Sequence, residues 1–217
     1  MKTNSFISKT VNGTSRLLKL SAAFLFAITC LACTDVHATT EYRNTNNFYG
    51  VILKTDAQVV LTQGTEPSIR IEGDKKSVSS VSTSVENGAL VISGTNHSPV
   101  TVYVTAGELC LIQVEGSGKI SGSQLISADM LLLKVVGTGS IKVDVRTLSL
   151  GMIVRGKGKI YVEGTTCDSY TKVSGSGQVW SMNLDAYRNS LEANLDNVTA
   201  REEQPRKTKR HVLKLHE

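Results

Sequence analysis

Val114-Glu115-Gly116-Ser117-Gly118-Lys119-Ile120 is the first of four copies of one pattern, V-x-G-x-G-x-[IV]. It returns as Val135-Val136-Gly137-Thr138-Gly139-Ser140-Ile141 and as Val154-Arg155-Gly156-Lys157-Gly158-Lys159-Ile160. The last copy is Val173-Ser174-Gly175-Ser176-Gly177-Gln178-Val179. The first glycines stand 21, 19 and 19 residues apart. Near-constant spacing of this length marks a solenoid or array, whose units bury their apolar faces only against one another.

Within each copy the apolar period is 2, so the elements are strands. Two positions before the first glycine stand Val114, Val135, Val154 and Val173. Four before it stand Ile112, Leu133, Met152 and Thr171, and six before it Cys110, Leu131, Leu150 and Ser169. These point inward, as do Ile120, Ile141, Ile160 and Val179 after the turn. The residues between them are mostly polar, among them Gln113, Lys134 and Lys172, with Val136 and Ile153 as exceptions. The fold class is all-β, a parallel β-solenoid with like positions stacked about 4.8 Å apart. On that register Cys110 and Cys167 stand three coil steps apart, roughly 14 Å, too far for a disulfide.

The glycine pair reads as a backbone requirement, a positive φ or a close approach to the next coil. A dinucleotide loop would need a following helix and only one copy. The fourth repeat loses apolar character at Ser169 and Thr171. The stretch 187–200 keeps only Leu191, Leu195 and Val198 and is expected to cap the array.

Toward the N-terminus the chain stays β-like. Val51-Ile52-Leu53, Val59-Val60-Leu61, Ser68 to Ile71 and Val100 to Val104 are short strand patterns. Asn87-Gly88 inside Val85 to Ile92 predicts a hairpin. One continuous β domain is expected from Tyr42 to Ala200, with no linker.

Together these segments resemble the "putative auto-transporter adhesin, head GIN domain" family of exported bacterial proteins. The resemblance rests on Phe48-Tyr49-Gly50-Val51, Val59 to Gly64, Ile69 to Gly73, Glu86 to Ile92 and the four glycine repeats. It implies a solenoid-like fold at the cell surface or in the periplasm, and it supplies no catalytic residues. No C-terminal membrane-barrel segment is read in the chain, so self-translocation is not expected.

The first residues read as a targeting segment. Lys2, Lys9, Arg16 and Lys19 precede a short apolar run, Leu20 to Ala32, and Val36-His37-Ala38 suits signal-peptidase cleavage. The run is shorter than the ~20 residues a spanning helix needs. The domains expected are therefore a signal peptide over 1–38, the β-solenoid over 42–200 and a basic polar tail over 201–217. Processing as a lipoprotein at Cys33 is the alternative, since Leu31-Ala32-Cys33 is part of a lipobox. Cys30 and Cys33 form C-x-x-C only within this segment and are set aside as a redox motif.

The chain of 217 residues is 40% hydrophobic and 20% charged, with net charge +5. Beginning at Thr39, it has 20 basic and 18 acidic residues. The region 39–200 is near neutral and the basic excess lies in the tail, which is not the footprint of a nucleic-acid binder. No run of 18 apolar residues suggests a span in the mature chain.

Catalytic signatures are absent from the sequence. The histidines, His37, His97, His211 and His216, have no zinc-ligand spacing, and there is no G-x-S-x-G elbow. No metal site, catalytic residue or cofactor is expected. The outward position five after each first glycine is occupied by Ser121, Lys142, Tyr161 and Trp180. Two polar rows accompany it: Ser117, Thr138, Lys157 and Ser176, and Lys119, Ser140, Lys159 and Gln178. Tyr161 and Trp180 are either a surface stack under the C-terminal segment or, with Lys142, a carbohydrate-stacking platform. The function expected is non-enzymatic binding or adhesion at the envelope, with a glycan or envelope component as partner. The alternatives are a polysaccharide-active enzyme on the same fold and a purely structural envelope protein.

Overall fold

The computed structural model describes residues 38–95 and 98–193. The first half comprises β1 (Ala38–Arg43), β2 (Gly50–Leu53), β3 (Gln58–Gln63), β4 (Ser68–Asp74), helix α1 (Lys75–Ser80), β5 (Val81–Glu86), β6 (Ala89–Gly94) and β7 (Thr101–Ala106). The repeats form β8 (Leu111–Gly116), β9 (Lys119–Gly122), β10 (Ile126–Gly137), β11 (Ser140–Gly156), β12 (Lys159–Ser174) and β13 (Gln178–Ala193). The chain is a parallel β-solenoid over the repeats, as the glycine spacing predicts.

The register follows the motif. Val114 pairs Val135, which pairs Val154, which pairs Val173, and Ile120 pairs Ile141, which pairs Ile160. Parallel in-register stacking puts like side chains on like side chains, so the core is a set of Val, Ile and Leu ladders. Val114, Val135, Val154, Ile141 and Ile160 are fully buried. Val173 and Val179 are only half-buried: one further rung, at Ala193, pairs with Val173, and Val179 lies on β13, the last described rung.

Both expected roles of the glycine pair are present, one per glycine. The first has positive φ in each copy, 104° at Gly116 and 107° at Gly156. The second has no room for a side chain: a Cβ on Gly177 would collide with Val154 of the preceding coil. At the opposite corner the Thr147 hydroxyl donates to that of Thr166, 2.9 Å away, and Thr166 reaches the Asp168 carbonyl at 3.0 Å. Buried polar groups at this bend are thus satisfied within and between coils.

Two sheet faces enclose the core. One runs β5, β6, β2, β8, β10 and onward; the other runs β1, β4, β7, β3, β9, β11, with β12 and β13 extending both. The β2–β3 coil therefore lies between those of β6–β7 and β8–β9, out of chain order. At the N-terminal end, β4 is antiparallel to β1 and β7, and β5 to β6. The Asn87-Gly88 turn has φ of 50° and 77°, the positive pair a tight hairpin needs.

Several expectations are corrected. Helix α1 is an addition to the expected strands, too short to show a 3.6 period; Asp74 caps it by accepting from the Lys76 and Ser77 N–H groups at 3.0 and 3.1 Å. It crosses from β4 to β5 and inserts Val78 into the core. Cys110 is exposed rather than inward, because the chain bends before β8 and Leu109 turns in instead. Gln113 is buried on the outer surface, in a row with Ile52, Lys134 and Ile153, and donates to Glu115. Tyr187 to Ala193 are strand residues of the last rung; the rest of the expected cap lies outside the described residues. So do the targeting segment to His37, Cys33, His97 and the basic tail.

Candidate ligand-binding face

The outward row predicted from the repeats is present. Ser121 pairs Lys142, Lys142 pairs Tyr161 and Tyr161 pairs Trp180 on successive parallel strands. Identical register and alternate side-chain direction force these four onto one line. The rings of Tyr161 and Trp180 lie 6.1 Å apart by centroid with 14° between planes, an offset stack. Trp180 is 45% exposed, and Tyr161 is half-buried beside it. Through Ala193 the chain continues along the sheet as β13 instead of folding back over the rings.

The row is longer than the repeats. Ser121 pairs Val60, Val60 pairs Tyr103, Tyr103 pairs Arg70 and Arg70 pairs Tyr42. The Arg70 guanidinium sits over the Tyr103 ring, 3.8 Å from its centroid, and also contacts Glu72. Tyr42 is exposed. The sequence signals only part of this. Alternation in Ser68 to Ile71 and Val100 to Val104 turns Arg70 and Tyr103 outward, but which strands lie side by side is not legible from it.

Over the repeat rungs the charges beside the row are sorted, while at the Arg70 end Glu72, paired to Thr101, lies on the lysine side. On the side nearer the glycine turns runs Thr101, Gln58, Lys119, Ser140, Lys159 and Gln178, joined by strand pairing. Lys119, Lys142, Lys157 and Lys159 are exposed, and none makes an ion pair among the described residues. On the other side Asp144 pairs Glu163, both exposed. The ionic contacts of the last rung lie on other parts of the coil. Glu192 accepts from Lys172 Nζ at 2.7 Å and from Tyr170 Oη at 2.6 Å. Lys172 and then Tyr170 hold the Glu192 carboxyl below the usual range, while Glu192 raises both partners. Arg188 grips Asp168 in the same way, clamping β13 to β12. These pairs bridge adjacent rungs.

No group of three potential metal ligands occurs among the described residues. A shallow cleft of about 270 Å³ beside Asn44, Asn46, Thr83 and Leu90 carries no carboxylate in its lining. No helix among the described residues is long and apolar enough to cross a membrane.

Residues 47–195 match the family described as "Putative auto-transporter adhesin, head GIN domain". The chain belongs to this family. Its GIN-domain fold is similar to a solved "putative adhesin" from Parabacteroides distasonis, with TM-score 0.60 and 13% identity over 73% of this chain and 79% of that one. A "putative adhesin" from Parabacteroides merdae gives TM-score 0.59 and 14% identity over 73% and 78% of the two chains. A "putative lipid binding protein" from Parabacteroides distasonis gives TM-score 0.58 and 18% identity over 73% and 79%. No curated protein matches. At these identities the likeness to the solved structures is one of fold, and the GIN-domain solenoid is the common element.

Proposed function

We propose that this protein is an exported, non-enzymatic adhesive or binding protein of the bacterial envelope, and that Trp180, Tyr161 and Lys142 contact a glycan. The observation that carries the reading is the Tyr161–Trp180 stack, open to solvent at Trp180 and continued by Lys142, which makes no ion pair among the described residues. An indole on a polar sheet suits the apolar face of a sugar ring, and a lysine in line with it supplies a donor for hydroxyl or acidic substituents. The rigid sheet preorganises all three side chains, which lowers the ordering cost of binding. The family's adhesin description agrees with a binding role. Export is proposed from the targeting segment over 1–38.

The test is a glycan and envelope-component screen with the chain beginning at Thr39. Tyr161→Ala combined with Trp180→Ala should abolish attachment and leave the circular dichroism spectrum unchanged. Full binding by the double variant removes this face from the reading. Loss of fold together with binding assigns the rings to packing.

A further inference from the structure

We propose that the row Tyr42, Arg70, Tyr103, Val60, Ser121, Lys142, Tyr161, Trp180 is one continuous track for an acidic polysaccharide laid across the strands. This rests on the glycan reading above and names the ligand class and its direction. Three observations converge on it.

The first is continuity. Every neighbour in the row is a paired position on an adjacent strand. Seven steps of about 4.8 Å make a line roughly 34 Å long. A stretched pyranose chain advances by a similar distance per ring, so successive sugars meet successive rungs. The second is the placing of the rings. Aromatic side chains stand at both ends, Tyr161 with Trp180 and Tyr103 with Tyr42, and between them lie the small, half-buried Val60 and Ser121 and the exposed Lys142. The Tyr103 end carries its own cation, Arg70, held on the ring face. A polymer touching both ends gains the second contact at high effective concentration, which a short sugar cannot.

The third is charge. The flank toward the glycine turns offers Lys119 and Lys159 beside neutral donors from Thr101, Gln58, Ser140 and Gln178, with Lys157 in the adjoining turn. None of the three lysines is neutralised by an ion pair among the described residues. The opposite flank carries Asp144 and Glu163, whereas Glu72, paired to Thr101 at the far end of the lysine flank, contacts Arg70. Over the repeat rungs an acidic chain is therefore attracted to one side of the ring row and repelled from the other, which sets its lateral position there. A neutral chain has no such preference.

The experiment measures affinity of the chain beginning at Thr39 for 1,4-linked galacturonate oligomers, a trimer and a decamer, and for a neutral 1,4-linked glucose decamer. The expected result has three parts. The acidic decamer binds at least tenfold more tightly than the acidic trimer. It loses affinity steeply with added salt. The advantage of length collapses toward one in Arg70→Ala combined with Tyr103→Ala. Because that pair packs on the sheet, Tyr42→Ala at the exposed end serves as a second variant and should cut the advantage at least threefold. Equal affinity for trimer and decamer, or a length advantage that survives both variants, overturns the track. Equal affinity for the neutral and acidic decamers overturns the acidic ligand while leaving the glycan reading standing. Binding of no oligomer at all, with other glycans and envelope components also failing, overturns both.

Discussion

Gly158 and Val135, on neighbouring coils, leave no space between them for a methyl group: a Cβ on Gly158 would collide with Val135 Cγ1. The same contact joins Gly139 to Val114 and Gly177 to Val154. Each coil therefore seats its turn on the inward valine of the coil before it. The glycine motif and the buried valine ladder are two halves of one packing unit.

Gly158→Ala should consequently destabilise the protein by about 1–3 kcal/mol, the usual cost of forcing atoms into a packed core. Lys157→Ala, in the same turn and exposed, should change stability little. Denaturant titration of both variants checks this; equal stability would mean that the turn can move away from Val135.

Val135→Asp should unfold the array at its centre. The side chain is fully buried between Val114 and Val154. An unpaired carboxylate there costs several kcal/mol, comparable to the whole stability of a small domain. Lys134→Asp, on the outer surface, should be mild by comparison. Equal thermal shifts in the two variants would show that the faces are reversed.

Both cysteines should react as thiols without denaturant. Cys110 and Cys167 are free and exposed. Ser169, which shares a coil with Cys167, is aligned with Leu150 and Leu131 at the rungs leading back toward Cys110. Mass spectrometry after alkylation of the native chain beginning at Thr39 should show two additions. A monomer with none would contradict the register.

The cap of helix α1 should make stability sensitive to acid. Hydrogen bonds from Ser77, first from its side chain and then from its backbone, hold the Asp74 carboxyl below its ordinary value of 3.8. A depressed carboxylate stabilises the fold above its unfolded pKa and loses that contribution as pH falls through the folded value. Asp74→Ala should lower Tm at neutral pH, and the gap to the unsubstituted protein should narrow below about pH 4. A gap independent of pH would assign the effect to something other than the charge.

Processing should leave Thr39 as the first residue. Strand β1 begins at Ala38, so cleavage after Ala38 keeps all of the strand except its first residue. N-terminal sequencing of the exported protein decides it, and a lipid on Cys33 would replace this scheme with membrane anchoring.

The four glycine repeats are enough, as sequence, to determine coil length, which strands pair and, Cys110 excepted, the inward faces. Consecutive repeats pair with each other, so a local motif specifies a local interaction and the periodicity is visible along the chain. The same spacing puts Lys142, Tyr161 and Trp180 in one row. The first half has no such motif. Its strands alternate legibly, yet the tertiary structure alone decides that β2–β3 stacks between β6–β7 and β8–β9. That order comes from burial between segments distant in the chain, where Ile112 meets Val51 and Ile120 meets Val59. Alternation tells a side chain which face to take but not which strand to lie beside. The link from Trp180 to Tyr103, Arg70 and Tyr42 follows from that non-local pairing, and so only the folded chain contains it.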